Sequence, residues 1–196
     1  VQFGQGTTID AGDIHICSQR ANRIIYHNDL DNIAVELTAR FADQVAAADV
    51  LLVSGFNAMQ DEALLNQRLD TLLQIMASLP GHAQVYYEDA GFYEPRFSTL
   101  ILDRLANRID IFSLNEDELQ AHVGRRLDLL DAQQVRDALA DLHRLIPVPI
   151  IVVHSMYWAL AYGAGAARVE RALCGGVTMA TTRFRCGDDY AAQDYH

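Results

Sequence analysis

The sequence has few cysteines, few prolines, one tryptophan and no surplus of basic charge, and each shortage narrows what it can be. Its three cysteines, Cys17, Cys174 and Cys186, are odd in number and far apart, so no spacing suits a zinc site. That usage fits a reducing, cytoplasmic interior. A formal net charge of -11 would repel a phosphate backbone and argues against nucleic-acid binding. A small anion held by a local pair of arginines stays possible. No signal peptide is visible, since the opening residues run directly into polar sequence. Residues 145–167 contain no Asp, Glu, Lys or Arg and are long enough to span a bilayer. Pro147, Pro149, His154, Ser155 and Gly163 interrupt that run. It is read instead as two buried strands around a turn at Ser155-Met156. No Walker A loop, Gly-x-Gly-x-x-Gly, His-Glu-x-x-His or Gly-x-Ser-x-Gly is present.

What is there is regular. Ile33, Leu37, Phe41 and Val45 form a helical stripe, followed by a buried strand at 49–54. Leu65, Leu69, Leu72, Met76 and Leu79 make a second stripe, stopped at Pro80-Gly81. A strand at 83–87 follows, then a helix carrying Phe97, Leu100, Ile101 and Leu105, with Pro95 near its first turn. A strand at 109–114 precedes a helix with Val135, Leu139, Leu142 and Ile146, ended by Pro147. A strand at 150–154 has a hairpin partner at 158–162, and residues 166–185 read as helix. Alternation of this kind predicts an α/β fold, a mostly parallel sheet with helices on both faces. Strand-like stretches at 7–17 and 22–27 predict a β-rich lid or edge over residues 1–28, ahead of an α/β core over 29–196.

Two apolar strands end abruptly in carboxylates. Residues 83–87 stop at Glu88-Asp89, and residues 109–114 stop at Asn115-Glu116-Asp117-Glu118. Strand ends of an open parallel sheet face one crevice, where ligands bind. Asn115-x-x-Glu118 has a structural reading, the capping box of a helix start. It also has a functional one, a carboxylate that holds magnesium through water. The two are compatible. Glu88 is either a solvated strand end or a partner to Glu118 at the same metal, with Asp89 and Asp117 as weaker candidates. His154 also ends a strand and is either a satisfied polar group or a nucleotide contact. Gly55 allows a tight turn or a close ligand, while Asn57 could donate to a sugar hydroxyl or cap a helix at Met59. Arg20 and Arg23 pair two cations able to grip a phosphate. Gly187-Asp188 lacks the preceding glycine expected of a catalytic-base motif.

In order, Arg-Ala-Asn-Arg-Ile-Ile (20–25), Leu-Leu-Val-Ser-Gly-Phe-Asn (51–57), Tyr-Tyr-Glu (86–88), Ser-Leu-Asn-Glu-Asp-Glu-Leu (113–119) and Val-His-Ser (153–155) resemble the ADP-dependent glucokinase and phosphofructokinase family. The resemblance runs from about Gln19 to Asp188. It implies a ribokinase-like three-layer α/β/α fold and phosphoryl transfer from ADP, with Mg2+, to a sugar such as glucose or fructose 6-phosphate. It implies Asn115 and Glu118 beside magnesium and Glu88 in a His-x-Glu motif whose His is Tyr86 here. It places Arg23 near the nucleotide phosphates, His154 at the nucleotide, and Gly55 and Asn57 near the sugar. The family's Gly-x-Gly-Asp, whose Asp activates the sugar hydroxyl, is not in this sequence. The chain is therefore expected to be the middle of such a kinase and inactive alone. The alternative is a non-catalytic nucleotide-binding or interaction domain of the same fold. The implied partners are a nucleotide and a sugar, not nucleic acid or a membrane.

Overall fold

The computed structural model describes residues 2–19, 22–23, 29–187 and 190–195; the side chains of Gln2, Asn22 and Arg23 are not described. Two short antiparallel ribbons come first. β1 (Gln2–Phe3) pairs with β4 (Asn22–Arg23), and β2 (Thr8–Ala11) pairs with β3 (Ile14–Cys17), with Ile9 opposite Ile16. Both are separate from the main sheet. The expected strand over 22–27 is seen only at its first two residues, and its remainder lies outside the described residues.

The main sheet has the order β5 (Val50–Val53), β6 (Gln84–Glu88), β7 (Ile111–Asn115), β8 (Ile150–His154), β9 (Ala159–Tyr162). β5 to β8 are parallel, and β9 returns antiparallel to β8 as the hairpin expected of residues 150–162. Between the parallel strands lie α3 (Glu62–Met76), α4 (Arg96–Leu105), and then α5 (Glu116–Val123) with α6 (Ala132–Leu145). Each parallel strand lies beside the next in sequence. Right-handed crossovers in one direction then put all these helices on one face. That face holds the main core: Leu51, Val53, Val85, Tyr87, Phe112, Leu114, Ile151 and Val153 point into it from the strands. Leu65, Leu69, Phe97, Ile101 and Leu142 meet them from the helices, each fully buried. Burying one such side chain contributes about 1.5–3 kcal/mol.

The opposite face carries less. There α7 (Glu170–Cys186) follows a 3-10 turn at Ala166–Val169, and Val169 of the turn and Leu173 of the helix pack on Ile111, Ile150 and Val152. Helices therefore do lie on both faces, but unequally. Val50 and Leu52 on the edge strand stay 57% and 60% exposed. A groove of about 720 Å3 remains between this face and α7, bordered by Tyr86, Val152, His154, Trp158, Arg168 and Val177. Among the described residues no helix is long and apolar enough to cross a membrane.

The first helical stripe is broken in two. α1 (Leu30–Ala34) is capped by Asp29 and stops at Val35, which takes φ 44, and α2 (Ala39–Val45) restarts behind Thr38. Thr38 Oγ1 accepts from Phe41 N, a local bond that starts a new helix rather than continuing the old one. Arg68 Nε donates to the Ala34 carbonyl freed at the break, at 2.8 Å.

Candidate functional site

Each parallel strand ends at the same rim, and alternation decides which side chains reach the open face there. In β6 Tyr86 and Glu88 face the groove side, while Tyr87 and Asp89 face the helices. Glu88 is in register with Ser113, and Asn115 with His154. The expected site residues Glu88, Asn115 and His154 are thus brought to one place by three adjacent strands, and Glu118 by the first turn of α5.

Asn115 ends β7 and caps α5. Its Oδ1 accepts from Asp117 N at 2.9 Å and Glu118 N at 3.0 Å, while Glu118 Oε2 accepts from Asn115 N at 2.8 Å. The capping box is complete. It also fixes Glu118 at the rim, so the structural role leaves room for a functional one. Burial raises the Glu118 carboxyl above its ordinary value; the bond from Asn115 N opposes this, and the charges of Asp89 and Glu88 add to it.

Glu88 Oε1 meets His154 Nε2 at 3.1 Å. Burial alone would raise Glu88, but the His154 bond, the nearby Ser113 hydroxyl and Tyr86 outweigh it, and the net direction is down. His154 is held above its ordinary value, first by the bond to Glu88 against the effect of burial. His154 is therefore both a satisfied polar group and a member of the site. A raised histidine contributes stability fully below its unfolded value and loses it as pH rises through the folded one. A lowered carboxylate contributes fully above its unfolded value and loses it as pH falls through the folded one. The pair should thus contribute most between about pH 4.5 and 6.5. In a chelating buffer, Glu88→Gln should lose more stability at pH 6 than at pH 9, by well under about 1 kcal/mol given the partial exposure. Urea unfolding that gives one difference at both pH values would contradict this pairing.

Ser54 and Gly55 end β5 at the same rim. Gly55 has φ 92, the left-handed backbone that lets the chain turn into the 3-10 segment Phe56–Ala58. Asn57 caps no helix at Met59, because α3 begins at Glu62 behind the cap Asp61. Its amide instead donates to the Gly91 carbonyl at 3.4 Å, joining this turn to the loop after β6. Arg23 lies outside the described side chains, and Arg20 and Asp188 outside the described residues, so the structure places none of these side chains.

His122 was not among the residues singled out from the sequence. Its Nε2 lies 2.7 Å from Oδ2 of Asp89, whose side chain is only 2% exposed. Asp89 Oδ1 is buried without a partner. The contact spans 33 residues, which no local pattern reveals; its one trace is that His122 follows Glu118 by a single helical turn.

Glu88 and Asp89 both act on Glu118 here, and each lies within hydrogen-bond distance of a histidine, His154 and His122 respectively. Among the described residues, no group of three His, Cys, Asp or Glu side chains could cage a metal ion.

The model of the ADP-specific phosphofructokinase/glucokinase conserved region matches residues 1–182. The chain belongs to this family. The ADP-specific phosphofructokinase/glucokinase fold is seen in similar solved structures. A hypothetical ADP-dependent phosphofructokinase from Pyrococcus horikoshii OT3 aligns with a TM-score of 0.64 at 14% identity, over 99% of this chain and 48% of that one. A phosphofructokinase from the same organism with AMP gives 0.64 at 15% identity, with the same coverages. The last common ancestor of ADP-dependent phosphofructokinases from Methanosarcinales gives 0.54 at 13%, over 79% of this chain and 36% of that one. Identities this low establish a common fold and nothing finer. The chain spans about half the length of the first of these structures. No curated protein sequence matches it.

Proposed function

We propose that this chain is the nucleotide- and magnesium-binding part of an ADP-dependent sugar kinase, acting on a hexose or hexose phosphate. The observation that carries this reading is the convergence of Glu88 and Glu118 on one rim, with Glu118 half-buried among like charges. Carboxylates so placed gain most from a divalent cation. Glu88, bonded to His154, and Glu118, bonded to Asn115 N, would hold magnesium through water. When bound, the ion neutralises charge on the phosphate oxygens, which is the main demand of phosphoryl transfer. Asn115 fixes the angle of Glu118, and His154 fixes that of Glu88. The groove beside His154, at about 720 Å3, is of the size that takes a small ligand, and Tyr86 and Trp158 give it apolar walls. Gly55 and Asn57 form the turn assigned to the sugar side, and Arg23 the cation for the phosphates.

Glu118→Gln tests this while keeping a side-chain oxygen for Asn115 N. Calorimetry with ADP and Mg2+ should show the metal-dependent part of the affinity falling by about tenfold or more. The stability of the fold should change little, and neither protein should phosphorylate glucose or fructose 6-phosphate by itself. Unchanged metal-dependent affinity removes Glu118 from the metal. Robust turnover by the isolated chain overturns its assignment as a binding part. A second reading, a nucleotide-binding domain without chemistry, draws on Tyr86. Burial raises its phenol further above neutrality, so it cannot supply the charge of the histidine expected there. Retained metal-dependent ADP binding, with no transfer even in a longer protein carrying the chain, would favour that reading.

A further inference from the structure

Asp89 and His122 form a costly pair that the proposed chemistry does not use directly. Asp89 is nearly fully enclosed, and one of its oxygens has no partner. A buried acceptor left unpaired costs about 1–3 kcal/mol, more when charged. Replacing both partners of a buried hydrogen bond with apolar groups of similar shape is often nearly neutral or stabilising. Stability is thus a poor account of this pair, and its placement offers a better one. Asp89 directly follows Glu88, and its N–H donates to the Ser113 carbonyl at 2.8 Å, fastening the end of β6 to β7. His122 lies one helical turn beyond Glu118 on α5, and its ring sits edge-on to Phe112 at 6.0 Å. A side-chain bond between them therefore ties the residue next to one rim carboxylate to the helix that carries the other.

We propose that the Asp89–His122 pair is a brace that sets the separation of Glu88 and Glu118, making both members positioning residues for the divalent ion and nucleotide phosphate at this rim. This rests on the function proposed above. The brace acts through geometry. A slide of α5 along its axis would move Glu118 away from Glu88, and the bond at 2.7 Å resists that slide.

The test measures ADP binding to the full chain over a range of Mg2+ concentrations, and again in EDTA. In Asp89→Leu/His122→Leu the fold should persist by circular dichroism. The Mg2+ concentration for half-maximal ADP binding should rise about tenfold, with ADP binding in EDTA unchanged. His122→Gln, whose amide can still donate to Asp89, should restore the wild-type midpoint to within about twofold. If the double variant does not fold, His122→Asn, too short to reach Asp89, takes its place with the same expectation. A folded variant lacking the bond but keeping the wild-type midpoint overturns the brace. So does an equal loss of ADP binding with and without metal, which marks a merely structural role. Wild-type protein that binds ADP without regard to Mg2+ removes the proposed function and the brace together, and is told apart because it needs no variant.

Discussion

Phe112→Ala should lower the free energy of unfolding by about 3–5 kcal/mol, among the largest losses open to a single change in this chain. Phe112 is fully buried in β7, in register with Tyr87 on one side and Ile151 on the other. Its ring stacks on Tyr87 with centroids 5.6 Å apart and planes 10° from parallel, and it also meets the edge of His122. Two effects would be lost. Ring–ring contact contributes about 0.5–1.5 kcal/mol. Lost burial and the cavity left behind account for the rest, so packing outweighs stacking. Phe112→Leu separates the two, since it keeps most of the apolar volume, and should cost about 0.5–1.5 kcal/mol. In a chain of this size each kcal/mol lowers the melting temperature by about 2–4 °C, so thermal scans on the two variants resolve them. Similar losses for Ala and Leu would show that the site depends on the ring pair rather than on volume. The same change bears on function, because Phe112 backs the His122 ring and Tyr87 lies close to Asp89 and Glu118.

The elements that sequence reveals here are those set by short-range periodicity. The stripe from Leu65 to Met76 becomes α3, and Val135, Leu139 and Leu142 are buried from α6 as their spacing requires. Strand ends are legible where an apolar run stops at a carboxylate, as it does before Glu88 and before the 115–118 turn that carries Glu118. Failures fall where one residue's backbone or a distant partner decides. Nothing in the pattern of Ile33, Leu37, Phe41 and Val45 announces that Val35 adopts positive φ, so one helix was expected where two exist. Local sequence offers Asn57 a capping role, while its partner is the Gly91 carbonyl, 34 residues away. The bonds from Glu88 to His154 and from Asp89 to His122 span 66 and 33 residues. The site was thus readable as a set of strand-end residues, but not as a network. Helices do lie on both sheet faces, as the alternation implied, but their unequal share was not legible. Strand order, a tertiary property, sends every crossover helix to one side.

Gly163→Ala should cost about 3 kcal/mol or more, for reasons confined to the backbone. Gly163 follows β9 and has φ 120, a conformation that alanine rarely adopts, with a strain of about 1–3 kcal/mol. A methyl group there would stand 2.3 Å from the Pro149 carbonyl oxygen and 3.2 Å from its carbon. Neither atom belongs to a flexible side chain, so β8 and the turn after β9 must separate, a displacement costing about 1–3 kcal/mol more. Gly55→Ala is the control. Gly55 also has positive φ, at 92, but nothing lies within 4 Å of its added carbon, so only backbone strain of about 1–2 kcal/mol applies. Urea unfolding that finds equal losses for the two variants would remove the clash from the argument. The Gly163 change should also have a local signature. Ala166 N donates to the Gly163 carbonyl at 3.2 Å, and through that turn α7 is seated on the sheet. Pushing Gly163 away from Pro149 loosens that seat and widens the groove beside the sole tryptophan, Trp158, whose indole N–H donates to Leu129 O at 2.7 Å. Its fluorescence should shift to the red in Gly163→Ala and stay unchanged in Gly55→Ala, because the first alters how α7 rests on the sheet and the second alters a turn after β5, at the other edge of the sheet from Trp158.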